Sequence, residues 1–169
     1  LAKENGALFP LYIWVMEITI LQKLVSPATP VWRYFKWGLI YIPSVLIISY
    51  LIKVGLSVDG VYSKRDFTVN ERLMTEARVI LDYLRQILLP TLSGTGIFHD
   101  DYKTSTSLFE PISTIISIVG VALALFSGLW LRRRMPILSF AMLFFLAGHL
   151  LESTVLNLEL YFEHRNYLP

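Results

Sequence analysis

A chain of 169 residues that is 54% hydrophobic, 17% charged and free of cysteine, with a mean hydropathy of +0.55, has the composition of a polytopic membrane protein rather than a soluble domain. Its formal charge of +2, from 15 basic and 13 acidic residues, gives no reason to expect a nucleic-acid or polyanion partner. The lack of cysteine excludes a disulfide framework, a thiolate zinc site and a cysteine nucleophile.

In chain order, Lys3 and Glu4 precede a proline-interrupted apolar run that ends without a small-residue cleavage site, so no cleavable signal peptide is read there. The opening on Leu1 and the close at Pro169 after a polar stretch are those expected of a piece of a longer protein. A hydrocarbon slab of ~30 Å needs roughly 20 helical residues to cross it. Residues 7–25 form a slightly short first span carrying Glu17, a carboxylate that needs a partner within a helix bundle. Residues 37–56 form a second span, in which Pro43 removes a backbone hydrogen bond and predicts a kink. Within 71–90, Glu71, Thr75, Arg78, Asp82 and Arg85 follow a 4-3-4-3 spacing while Leu73, Ala77, Ile80, Leu81, Leu84 and Leu88 take the opposite side. That pattern predicts an amphipathic helix lying in the interface within a longer outer segment, 57–110. Residues 112–131 and 137–158 are the third and fourth spans. The predicted fold class is therefore all-α, a polytopic membrane helix bundle of about four transmembrane helices plus one interfacial amphipathic helix.

Orientation follows from the short connections, because basic residues mark the cytoplasmic side. One connection holds Lys23, Arg33 and Lys36, the other Arg132, Arg133 and Arg134, and neither holds an acid. Trp32, Trp37 and Trp130 then fall at the inner boundary as an aromatic belt. Eleven of the 13 acids lie outside, the other two being Glu17 and Glu152 within spans.

This layout gathers polar residues at the outer face. Lys3 and Glu4 precede the first span, and His99, Asp100 and Asp101 sit in a roughly 20-residue connection of the kind more often functional than merely connecting. His149, Glu152, Ser153 and Asn157 recur at helical spacing toward the outer end of the last span, and Glu163, His164 and Arg165 follow it. A solvated turn is the plain reading of Asp100 and Asp101; the chemical one is a general base or cation ligand with His99 beside it. His149 and Glu152 read either as an interhelical hydrogen bond or, since a membrane carboxylate is costly, as functional groups. Glu163, His164 and Arg165 read as an exposed charge cluster or as a seat for a lipid-linked phosphate, which a planar guanidinium grips in bidentate fashion. Glu17 reads as structural, and the Arg132–Arg134 run as a topology signal first and a lipid-headgroup contact second. No P-loop, GxGxxG, HExxH or GxSxG motif and no internal repeat competes with these groups.

The Leu1-Ala2-Lys3-Glu4-Asn5-Gly6 opening, the stretch from Tyr83-Leu84-Arg85 to Leu89-Pro90, and the terminal Glu163-His164-Arg165-Asn166-Tyr167-Leu168-Pro169 together resemble the transmembrane-and-TPR protein O-mannosyltransferases and their bacterial relatives. These are GT-C-type membrane glycosyltransferases whose membrane module precedes a tetratricopeptide array. The resemblance is spread over most of the chain, and EHRNYLP is its most specific element. It implies transfer of a sugar from a polyprenyl-phosphate donor to a protein or glycan acceptor at the outer face of a bacterial inner membrane, in the cell envelope. In such enzymes the principal base usually sits in the first outer loop, upstream of the KENG element, so Asp100, Asp101 and Glu152 are only candidate catalytic residues and the fragment alone is expected to be inactive. Under the resemblance, Arg165 and His164, with Lys3, contact the donor phosphate. Asp100 and Asp101 position the acceptor or a divalent ion, Glu152 with His149 shapes the inner wall, and Glu4, His99 and Glu163 complete the substrate contacts.

Rival readings are an O-antigen ligase or polymerase with a pyrophosphate-linked donor, a non-enzymatic membrane anchor that presents repeats for envelope assembly, and a secondary transporter with Glu17, His149 and Glu152 as a proton path. Against the transporter stand the motif similarity and the lack of an inverted repeat.

Overall fold

The computed structural model describes residues 4–23, 30–56, 68–89, 104–151 and 153–154, and these are all-helical, with no strand among them. Five helices are formed: α1 (Phe9–Thr19), α2 (Pro30–Leu56), α3 (Val69–Leu88), α4 (Ser113–Leu131) and α5 (Pro136–Gly148). Proline marks the start of three of them. Pro10, Pro30 and Pro136 lie in first turns, where the missing N–H is not needed and the fixed φ suits a helix. Proline also dictates two breaks. Leu89 and Met135 precede Pro90 and Pro136, and both leave helical geometry, at φ −134°, ψ 73° and φ −132°, ψ 72°. The chain divides into two compact units, Leu1–Lys53 with Ala124–Leu151, and Val54–Leu123 with Glu152–Leu168.

In the first unit, a 3-10 turn (Glu4–Leu8) leads into α1, which packs on α5. Val15, Leu143 and Ala147 are buried at the centre of that contact, and Leu11, Tyr12, Ile18, Phe140 and Phe144 surround them. The Tyr12 and Phe144 rings lie 4.7 Å apart and those of Phe140 and Phe144 5.1 Å apart. The second half of α4 and α5 form a hairpin through the turn at Arg132–Arg134. The hairpin is close because Gly128 has no side chain: a Cβ there would stand 2.9 Å from both Cγ and Cδ2 of Leu143. Ser139 donates its hydroxyl to the Gly128 carbonyl at 2.6 Å across the same gap.

Helix α2 begins seven residues before the hydropathy-based start at Trp37, so Arg33 and Lys36 lie on helical turns rather than in a connection. Pro43 acts on the turn preceding it: Trp37–Tyr41 widens into a π-helix, closed by the Ile42 N–H on the Trp37 carbonyl. A proline has no N–H to offer four residues back and its ring crowds that carbonyl, so a wider turn there relieves the conflict. Ser44 adds a hydroxyl hydrogen bond to the Ile40 carbonyl at 2.7 Å.

In the second unit, α3 opens on a capping box. Thr68 Oγ1 accepts from the Glu71 N–H at 3.3 Å, and Glu71 Oε2 accepts from the Thr68 N–H at 2.6 Å. The amphipathic helix predicted over 71–90 is thus present, and which stripe it buries decides its role. Arg72, Thr75, Glu76, Val79 and Tyr83 are buried within the unit, whereas Leu73, Ile87 and Leu88 are exposed and Ala77, Ile80, Leu81 and Leu84 are half-buried. The buried stripe runs between the two predicted sides: of the polar set only Thr75 is buried and Arg85 is exposed, and most of the leucine-rich side is half-buried. Leu81 meets the start of α4, where Gly120 leaves room for its Cδ1.

Two helices, α2 and α4, are long and apolar enough to cross a membrane, and only 11% and 17% of their most apolar stretches are buried. The apolar segments Gly6–Thr19 and Pro136–Gly148 are shorter, about 21 Å and 20 Å at 1.5 Å per residue. The later part of the predicted fourth span, after residue 154, lies outside the described residues.

Candidate functional site

Two polar clusters stand inside an otherwise apolar molecule, one in each unit. In the second unit the inward stripe of α3 anchors two distant chain segments. Arg72 is fully buried, ion-pairs with Glu76 one turn on (Nη2 to Oε1, 3.0 Å) and donates from Nε to the Thr154 carbonyl at 2.9 Å. Thr75 donates its hydroxyl to the Glu71 carbonyl at 2.7 Å and accepts from the Ser105 N–H at 2.8 Å. Ser105 Oγ shares a 2.8 Å hydrogen bond with Thr114 Oγ1 at the start of α4 and accepts from Arg78 Nη1 at 3.3 Å. A buried guanidinium holds its charge only where carboxylate and carbonyl oxygens replace water, which is what Glu76 and Thr154 supply. The network therefore fixes the chain at residue 105, four positions after Asp101, and at residue 154, two positions after Glu152.

Helical periodicity placed Thr75 and Arg78 on a solvated face and drew no attention to Arg72 or Glu76. The signal was present: Arg72, Thr75, Glu76, Val79 and Tyr83 form an i, i+3, i+4, i+7, i+11 stripe in which the apolar Val79 and Tyr83 are continuous with charged residues. An open groove of about 610 Å³ borders the same helix, lined by Asn70, Glu71, Leu73, Met74, Ser107 and Leu108. Its one carboxylate, Glu71, is engaged in the helix cap.

In the first unit, Glu17 does meet a second charged group. Lys36 of α2 ion-pairs with its Oε1, and Tyr41 donates its hydroxyl to Oε2 at 3.0 Å. Trp14 packs edge-on against Tyr41 at 5.5 Å, and Trp37 against Tyr41 at 5.3 Å, which screens the pair with aromatic surface. Because Glu17 and Lys36 are each mostly buried, at 17% and 14% exposure, this is an ion pair largely withdrawn from solvent.

Of the residues read from the sequence as the site, His149 has a described side chain. It follows α5, is 2% exposed and packs edge-on against Phe145 at 4.7 Å, while its N–H caps the helix on the Phe145 carbonyl at 3.3 Å. Glu4 lies in the first 3-10 turn, and its side chain is outside the described residues. Lys3, His99, Asp100, Asp101, Glu152, Glu163, His164 and Arg165 also lie outside them. Among the described residues no three His, Cys, Asp or Glu side chains converge as a metal site, and Asp100 and Asp101, the pair expected to hold a divalent ion, are not among those residues. No known protein family, curated protein or solved structure matches the chain.

Proposed function

We propose that this chain is a membrane-embedded section of a GT-C-type glycosyltransferase, one that moves a sugar from a polyprenyl-phosphate donor to a protein or glycan acceptor at the outer face of a bacterial inner membrane. In this reading α1, α2, α4 and α5 cross the bilayer and α3 lies flat in the outer interface. The observation that carries the membrane part is the bare surface of α2 and α4, since a soluble core helix of that length would be mostly covered. On α3, Leu73, Ile87 and Leu88 are exposed, which suits a helix at an apolar boundary.

The chemistry rests on the motif resemblance. Sugar transfer from a lipid phosphate needs a carboxylate to take the acceptor proton and cations to stabilise the departing phosphate, at a depth where the polyprenyl tail stays in lipid. Arg165 and His164, with Lys3, serve the phosphate; Asp100 and Asp101 serve the acceptor or a divalent ion; Glu152 and His149 are assigned to the inner wall. The α3 network supports this assignment by fixing the chain close in sequence to both Asp101 and Glu152. Transfer from a polyprenyl-phosphate sugar, measured in membranes containing the full-length protein, is expected to fall about 100-fold in Arg165→Ala, the cost of losing one charge-stabilising contact. Unchanged donor affinity and turnover in that variant would overturn the assignment.

A further inference from the structure

The first unit collects cations from two separate stretches of sequence at one of its ends. Trp14 meets Tyr41 while Glu17 meets Lys36, so α1 and α2 run antiparallel and the end of α1 lies beside the start of α2. Gln22, just beyond α1, donates its side-chain amide to the Arg132 carbonyl, which brings the turn between α4 and α5 to the same end. Arg33, Arg132, Arg133 and Arg134 therefore share one end of the unit. Glu17, the one acidic side chain described in this unit, is already engaged by Lys36 and Tyr41, so the four guanidinium groups make no ion pair among the described residues. The rings around them are bare. Trp130 is 60% exposed with the Arg134 guanidinium over it at 5.1 Å, and Trp32 stacks on Phe35 at 5.3 Å with both exposed.

Guanidinium groups with no ion pair among the described residues, beside exposed indoles, match one chemistry. The cations take phosphate oxygens in bidentate fashion, the indoles sit at headgroup depth, and bare apolar residues such as Val31 and Phe35 take the first acyl carbons. A soluble anion would use the cations and leave the rings bare. We infer that this end of the first unit is a docking surface for anionic glycerophospholipids of the inner leaflet, with Arg33 and Arg134 as its principal phosphate contacts. The inference rests on the membrane reading above and goes beyond it, because a bilayer protein need not discriminate between headgroups.

Tryptophan fluorescence tests it in the protein reconstituted into phosphatidylcholine vesicles doped with brominated phosphatidylglycerol or brominated phosphatidylcholine. The brominated anionic lipid is expected to associate about five-fold more strongly than the zwitterionic one, with the difference narrowing at high salt. Arg33→Gln with Arg134→Gln removes most of that preference and leaves Arg132 and Arg133 to hold orientation; Arg33→Lys with Arg134→Lys retains it. Equal quenching by the two lipids in the native protein, a preference that survives the glutamine variant, or one lost equally from both variants would overturn the proposal. Absence of quenching by either lipid would overturn the membrane reading itself, whereas strong but equal quenching leaves that reading standing and removes only this one.

Discussion

A carboxylate withdrawn from water keeps its charge only beside a cation, and Glu17 has both Lys36 and the Tyr41 hydroxyl. Removing one partner of such a pair costs more than the pair contributes, because the survivor is left charged and unsolvated. Glu17→Gln is therefore expected to lower stability by about 3 kcal/mol in a detergent unfolding experiment. Glu17→Gln combined with Lys36→Met should recover most of that loss, and a double-mutant cycle with no coupling would show that the pair is energetically idle. The need for a partner was legible in the sequence, since an acid inside an apolar run demands one. Its identity was not, because Lys36 read as part of a connection until the helix was seen to begin at Pro30. Arg72 and Glu76 were hidden for a related reason: helical spacing records which residues share a face, and says nothing of whether that face meets water, lipid or protein.

Helices in this molecule approach one another where side chains are missing. Gly128 and Gly120 both receive a leucine at 2.9 Å from an imagined Cβ, but the two contacts differ in what can yield. At Gly120 the near atom is the tip of Leu81, which can rotate aside. At Gly128 both Cγ and Cδ2 of Leu143 crowd the position, and Leu143 is held in the α1–α5 core. Gly128→Ala is accordingly expected to destabilise by roughly 1–3 kcal/mol and Gly120→Ala by clearly less, measured as thermal unfolding of the two variants side by side. Equal losses would contradict this account of the hairpin. The amphipathic period of α3 was fully legible, whereas its bounds were not, since the helix runs Val69–Leu88 where 71–90 was expected. Which stripe it buries was not legible either, because the same pattern is produced by a helix on a soluble core and by one lying on a bilayer.

At the scale of the molecule, composition announced an apolar helical protein, and five helices with no strand among the described residues bear that out. Hydropathy located α2 and α4 to within a few residues at their C-terminal ends, since both close at the predicted Leu56 and Leu131. The described helical parts of the other two apolar segments are shorter than a bilayer-crossing stretch. The membrane reading makes a direct prediction about sidedness, and the natural lack of cysteine makes it easy to test. A single cysteine at Ser107 should react with an impermeant thiol reagent from outside the cell, and one at Ser26 only from the cytoplasm. Labelling of both from one side would require α3 or one of the shorter helices to take a different path.

The widened turn at Trp37–Tyr41 has a consequence for how α2 is organised. A π-turn accommodates one extra residue, so the helix leaves it with its angular phase slipped by about 100° relative to an uninterrupted α-helix. The stretch carrying Trp32, Arg33 and Lys36 and the stretch carrying Ser44 and Leu51 thus follow separate helical wheels. Loss of a single residue from the bulge would swing the arginine and tryptophan end around the axis while leaving the later contacts in place. Helix α2 is in this sense two instruments on one shaft: the first brings Lys36 to Glu17, and the second buries Ser44 and Leu51.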